Sequence, residues 1–270
     1  VKLGLSSLLF TCERLERAIE AAASLSYQAV EIVYDMPHFM PGRKEPDLRR
    51  LRGLLEDASL AVSVHSSFWD LNPASYYPTL QRLSVKRVKR SARVCKELGG
   101  QVLVVHPGKC PAPDARWVRE GTAKLYREFL REVVPYAKNM GVEPCLENGN
   151  SRENPYSLLP ELGELVEAEG IGMTLDIPHA FLRYGSRKVR EIVRDVRRVG
   201  SLIRHVHIHD SMGHRDEHLV PGEGRLRLEP VVECLKEAGF SEIVVAELWD
   251  PKNPWDTARR ARKSLRNLLG

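Results

Sequence analysis

Eight short apolar runs, each five or six residues long, recur along this chain between longer stretches of helical periodicity. They occupy residues 2–6, 29–34, 60–65, 102–106, 142–147, 172–176, 203–207 and 243–247 and are rich in Val, Ile and Leu. Near-continuous apolar runs of this length suit parallel strands buried on both faces. The helical stretches fall at 12–25, 46–59, 80–98, 117–140, 156–169, 186–199, 229–238 and 255–269. Pro46 would sit in the first turn of the second helix. Gly99-Gly100, Gly141, Gly170, Gly200 and Gly239 follow five of them as stops.

Spreading 270 residues over eight units gives a spacing of about 34. Repeated βα units imply right-handed crossovers and a parallel sheet, and eight units close a barrel. The expected class is therefore α/β, a single (β/α)8 TIM barrel spanning 1–270. The competing doubly wound open sheet ordinarily carries a Gly-rich loop after its first strand. Leu5-Ser6-Ser7-Leu8-Leu9 is not such a loop.

The chemistry is legible in how the runs end. His65, His106, Glu147, Asp176, His207 and Glu247 each close one apolar run. In a barrel the C-terminal strand ends ring one mouth, where active sites are built. One strand-end histidine is ordinarily a hydrogen-bonded structural residue. Six ligand-type groups from six strands converge on one point, where each would be costly if unpaired. His179 follows Asp176 closely, and Asp216 and His218 lie in the loop after the seventh run. Imidazole and carboxylate suit Zn²⁺ or Mn²⁺, with Mg²⁺ or Co²⁺ as further options, and one to three ions. No cysteine stands at a strand end, which argues against a soft thiolate site. Phe68 and Trp69 would wall a substrate pocket, Lys109 would meet a phosphate, and His209 would line the rim. The turns Pro107-Gly108 and Gly222-Glu223-Gly224 have two readings: backbone N–H groups facing an anion, or plain turn chemistry. His38 and His214 are expected at the periphery.

Composition adds bounds. The formal charge of +5 permits an anionic ligand, although Arg-rich runs such as 194–198 and 259–263 read as solvated helix faces. Five scattered cysteines without a CxxC pair suggest reduced thiols and a cytoplasmic protein. No apolar run approaches the roughly 20 residues of a membrane span. No membrane partner is therefore expected, and no apolar stripe indicates an oligomeric state.

The strings His65-Ser66-Ser67-Phe68-Trp69-Asp70-Leu71-Asn72, Val105-His106-Pro107-Gly108, Leu146-Glu147-Asn148, Leu175-Asp176-Ile177-Pro178-His179, His207-Ile208-His209-Asp210 and 216–224 occur in collinear order. Together they resemble the xylose isomerase-like TIM-barrel superfamily. It holds sugar and sugar-phosphate isomerases and epimerases and also endonuclease IV, the AP endonuclease family 2. The isomerase-like resemblance implies one divalent ion on Glu147, Asp176, His207 and Glu247. Glu147 and Glu247 would then be the catalytic carboxylates, moving a proton through a metal-stabilised enediolate, with His179 on the substrate. The nuclease resemblance implies three zincs: one on His65, His106 and Glu147, a second on the four-residue set, and a third on His179, Asp216 and His218. Its partner would be abasic DNA. Against the nuclease stand Glu217 where that pattern has arginine, a shorter stretch from His207 to Asp216, and an opening without a Gly-rich turn. The expected function is a sugar or sugar-phosphate isomerase or epimerase. The AP endonuclease is the first alternative, and a non-catalytic sugar-binding barrel is the second.

Overall fold

The computed structural model describes residues 1–185 and 188–270. Its strands are β1 (Lys2–Ser6), β2 (Ala29–Val33), β3 (Ala61–His65), β4 (Val102–Val105), β5 (Glu143–Glu147), β6 (Gly172–Asp176), β7 (Ile203–Ile208) and β8 (Ile243–Ala246). All neighbours pair in parallel, and β1 pairs with β8 to close the barrel. The expected (β/α)8 class is the observed one. The runs at 102–106 and 243–247 overshoot by one residue, so His106 and Glu247 stand just past β4 and β8.

Nine α-helices surround the barrel among the described residues: α1 (Leu15–Ser24), α2 (Leu48–Asp57), α3 (Pro78–Glu97), α4 (Arg116–Lys138), α5 (Leu159–Glu169), α6 (Ile177–Tyr184), α7 (Val189–Val199), α8 (Glu229–Glu237) and α9 (Pro254–Leu269). Helix α6 is absent from the sequence expectation, and the expected start of the helix at 186–199 lies outside the described residues. Pro46 precedes α2 rather than opening it, because the Asp47 carboxylate caps the helix by accepting from the Arg49 and Arg50 N–H groups.

Alternation along each strand sends one set of side chains into the barrel and the other toward the helices. Outward Val30, Ile32, Leu103, Leu146, Met173 and Leu175 are buried in the apolar layer beneath the helices. The inward set mixes apolar residues such as Val104 and Val245, in register with His65 and His207, with a run of polar groups. Ser63 and His65, Cys145 and Glu147, Thr174 and Asp176, and His205 and His207 are same-parity pairs on four strands. A register shift between β6 and β7 fixes the last pair. Met173 faces Ile203, yet Thr174 faces His205, so Arg204 is the extra residue. Its exposed guanidinium donates to the carbonyls of Ser201 and Ile203. The irregularity keeps a cation out of the barrel and lets both histidines point inward.

Candidate metal centre

Glu147, Asp176, His207 and Glu247 come from four strand ends and are buried. One ligand atom from each lies within 4.8 Å of the others. His207 Nδ1 is 3.2 Å from Glu147 Oε1, 3.6 Å from Glu247 Oε2 and 3.8 Å from Asp176 Oδ2. Among the described residues, Glu147 Oε2 and Asp176 Oδ2 are buried with no hydrogen-bond donor. Three carboxylates sharing so small a volume repel one another, and orphaned oxygens there are costly. A divalent cation relieves both penalties, so the donor set fits such an ion.

The other five sequence-designated ligands join the same network. His65 Nε2 and His106 Nε2 are 3.5 Å and 3.9 Å from Glu147 Oε2. His179 Nε2 lies 2.7 Å from Asp216 Oδ2, and His218 Nε2 is 3.6 Å from the same atom. His209, expected at the rim, is buried, with Nε2 3.5 Å from both Asp176 Oδ2 and Asp216 Oδ1. It completes two further three-residue groups with ligand spacing, one with Asp176 and His179, the other with His218 and Glu247.

Local structure aims these side chains. Asp176 caps α6 by accepting from the His179 N–H through Oδ1, which leaves Oδ2 for the centre. Asn148 clamps the Asp176 backbone at both N–H and carbonyl. Five imidazoles are anchored through Nδ1 on main-chain carbonyls: His65 on Ser66, His106 on Pro107, His179 on Asn148, His209 on Asp210 and His218 on Glu247. Each therefore turns Nε2 toward a carboxylate, the orientation that ligand histidines adopt. His218 holds this pose at a φ of +50°, a costly region for a residue with a side chain. The Trp249 N–H ties its carbonyl to the end of β8.

Opposite charges shift one another's ionisation across this network. Burial would raise the Glu147 carboxyl, but His207 and His65 outweigh it and hold it well below its ordinary value. Burial would lower His65, yet Glu147, Glu247 and Glu31 push it up to about 9. His179 is raised well above the usual imidazole range because Asp176 and Asp216 outweigh burial, and His207 likewise because of Glu31 and Glu247. Burial dominates at His106, which falls to about 4.

Around the mouth, Phe68 stacks on His106 with centroids 5.2 Å apart and meets His65 edge-on. Trp69 meets Trp249 in a T-shaped contact. Asp35 fixes this wall by accepting the Phe68 and Trp69 N–H groups. Lys109 is exposed, and its main chain is tied to Asn72 at both N–H and carbonyl. The turn at 222–224 does face an anion, but that anion is the protein's own Asp210, which accepts from the Gly222 and Leu226 N–H groups. His214 is exposed as expected, while His38 is half-buried against the carbonyls of Phe10 and Glu13. A cavity of about 670 Å³ between α4 and α5 shares no lining residue with the four-residue set.

Sequence reasoning missed Glu31, Asp35, Asn148, Asp210 and Trp249. Glu31 had a signal, since it is the one charge in Ala29-Val30-Glu31-Ile32-Val33. Asn148 and Trp249 closely follow the candidate ligands Glu147 and Glu247, whereas nothing local marks Asp35 or Asp210 as a clamp.

A family profile described as xylose isomerase-like TIM barrel matches residues 19–268. The chain belongs to this family. It is 34% identical over 252 residues to an uncharacterized protein of Methanocaldococcus jannaschii, covering 92% of this chain and 83% of that one. It is 26% identical to fructoselysine 3-epimerase of Escherichia coli O157:H7, covering 97% of both. A solved D-tagatose 3-epimerase-like protein superposes with a TM-score of 0.84 at 31% identity, covering 100% of this chain and 97% of the other. The family's epimerase relatives support an isomerase or epimerase enzyme. No described helix is long and apolar enough to cross a membrane.

Proposed function

We propose that this chain is a divalent-metal-dependent epimerase or isomerase of a ketose or ketose derivative, with Glu147 and Glu247 as its proton-transfer groups. The observation that carries this reading is the buried cluster in which the carboxylates of Glu147, from β5, and Glu247, just past β8, lie within 4.8 Å of each other and of ligand atoms of Asp176 and His207, from the two strands between. Glu147, Asp176, His207 and Glu247 would hold the ion, with Zn²⁺ or Mn²⁺ as the first choices. When bound, the ion polarises a carbonyl and its neighbouring hydroxyl and so acidifies the carbon between them.

The protein's own groups do the rest. One glutamate takes the proton from the carbon beside the carbonyl, leaving an enediolate. The other glutamate, entering the step as the carboxylic acid, gives its proton to the other face, which inverts that carbon; exchange with water resets both groups. Imidazoles His179 and His209 border the site and can hydrogen-bond sugar hydroxyls. Phe68, Trp69 and Trp249 offer apolar surface to the C–H face of a sugar and shield the site from water. Lys109 would engage a phosphate if the substrate carries one. The names of the fructoselysine and tagatose relatives support a ketose-type substrate.

The test is a panel of ketoses, their phosphates and their amine adducts incubated in D2O with the metal-loaded protein, followed by proton NMR. Deuterium should enter at the carbon beside the carbonyl as the epimer appears. Glu247→Gln should abolish epimerisation, and exchange from the epimer whose proton Glu247 removes, while retaining some bound metal. Epimerisation that survives in this variant would refute the assignment of Glu247.

One observation favours a second reading, metal-assisted phosphodiester cleavage: all nine candidate positions for that chemistry form one continuous network. Incision of abasic duplex by zinc-loaded protein, with strong salt dependence of binding, would select it.

A further inference from the structure

Below the metal centre, Glu31 of β2 is fully buried inside the barrel. A barrel interior is ordinarily filled by branched apolar side chains. A carboxylate here is costly to desolvate, and a well-packed apolar residue would often serve stability as well. The partners of Glu31 show what the charge is for. His207 differs from the five histidines anchored through Nδ1 on main-chain carbonyls: its Nδ1 faces the carboxylates of the centre. Its other nitrogen, Nε2, rests on Glu31, 3.2 Å from Oε1 and 3.3 Å from Oε2. Glu31 is held in turn by two neighbours, accepting from Ser63 Oγ at 3.1 Å and from His205 Nε2 at 2.8 Å.

We propose that Glu31 is the positioning residue of this centre: by accepting the Nε2 proton of His207 it fixes the tautomer and ring angle that present Nδ1 to the ion. Ser63 and His205 are the anchors of that carboxylate. An imidazole donating one N–H to a carboxylate keeps its lone pair on the opposite nitrogen and becomes a more basic ligand. Among the described residues no main-chain carbonyl makes a hydrogen bond to either nitrogen of His207, and the barrel supplies a buried acid from the strand layer below. The inference rests on the metal reading of the four-residue centre. It also gives His205 a role that needs no ion, although Glu31, His205 and His207 together have ligand spacing of their own.

The test compares wild type with Glu31→Gln, a neutral side chain of the same shape, using Co²⁺ alone as the probe. Affinity is read by chelator competition, stoichiometry by titration, and ligand geometry by the visible Co²⁺ spectrum. The thermal midpoint of each ion-free protein serves as the folding control. The expected result is one Co²⁺ per wild-type chain, and in the variant an affinity weaker by about 10–100-fold with an altered spectrum and unchanged stoichiometry. A purely structural Glu31 would lower the ion-free midpoint and leave the affinity and spectrum of the folded protein as they were. That result would overturn the proposal. A stoichiometry falling from two to one would also overturn it, by making Glu31 a ligand. If wild type took up no Co²⁺, the reading of the centre would fail first and this inference with it. Should Glu31→Gln not fold, Ser63→Ala carries the test by removing one anchor of the same carboxylate. A several-fold loss of affinity supports the proposal, and none refutes it.

Discussion

Saturating the centre with a divalent ion should raise the thermal midpoint by an amount the structure allows us to work out. The ion replaces mutual repulsion among Glu147, Asp176 and Glu247 in a site that the unfolded chain does not possess. A ligand that binds only the folded state stabilises it by about 2.7 kcal/mol at one hundred times its dissociation constant. Unfolding entropy of about 2.1 cal/mol/K per residue gives a chain of this length roughly 0.6 kcal/mol per degree. The midpoint should therefore rise by about 5 °C at that concentration, and by about 7 °C at a tenfold higher one. Glu147→Gln sharpens the test, because His65, His106, His179 and His207 all lie within 4.0 Å of the Glu147 carboxylate. If the substitution weakens binding a hundredfold, the same ion concentration stabilises by only about 0.4 kcal/mol, a shift of under about 1 °C. Differential scanning calorimetry with Mn²⁺, Zn²⁺ and a chelated control reads both proteins. A variant that shifted as far as wild type would place the ion elsewhere, and a wild type that did not shift would refute the centre.

Two further outcomes follow from contacts outside the four-residue set. A Cβ at Gly224 would come within 2.2 Å of Asp210 Oδ1 and 2.5 Å of the Ser211 carbonyl, so Gly224→Ala must push the loop carrying Asp216 and His218 off Asp210. It should cost about 1–3 kcal/mol by urea denaturation; a neutral result would show that the loop is not clamped there. Burial lowers the His38 imidazole, against the pull of the Glu13 and Phe10 carbonyls. The contribution of His38 is complete above the ordinary imidazole value of about 6.5 and is lost as pH falls through the depressed folded value, because the unfolded chain then takes up the proton first. His38→Gln should flatten part of the decline in urea midpoint on acidification; equal slopes would show that His38 does not titrate differently on folding.

The barrel was legible because its strands are short, apolar and closed by polar residues, and two of the eight have the expected bounds, β1 and β6. Helix α6 was hidden by its own chemistry. Asp176-Ile177-Pro178-His179 reads as a ligand-bearing loop, yet an aspartate cap followed by proline in the first turn is how a helix begins. Helix α5 begins at Leu159, three residues later than its apolar pattern, because Tyr156 sits at a φ of +57°, which no helix accommodates. The nine candidate positions could be named from strand ends and neighbouring strings, and the fold gathers them at one mouth of the barrel. His209, expected at the rim, is buried one residue past the end of β7, a depth that residue type alone does not give. Glu31 and Asp210 escaped notice because they act across the barrel or loop on groups 176 and 12 residues away in sequence. Such pairings exist only once the barrel has closed.

The most direct measurement is elemental analysis of the gently purified protein, expressed as moles of metal per chain. The predicted result is about one divalent ion per chain, falling toward zero in Asp176→Asn, whose Oδ2 is the unpaired oxygen aimed at the centre. A wild-type protein that carries no ion, and takes up none when dialysed against Mn²⁺ or Zn²⁺, would contradict it.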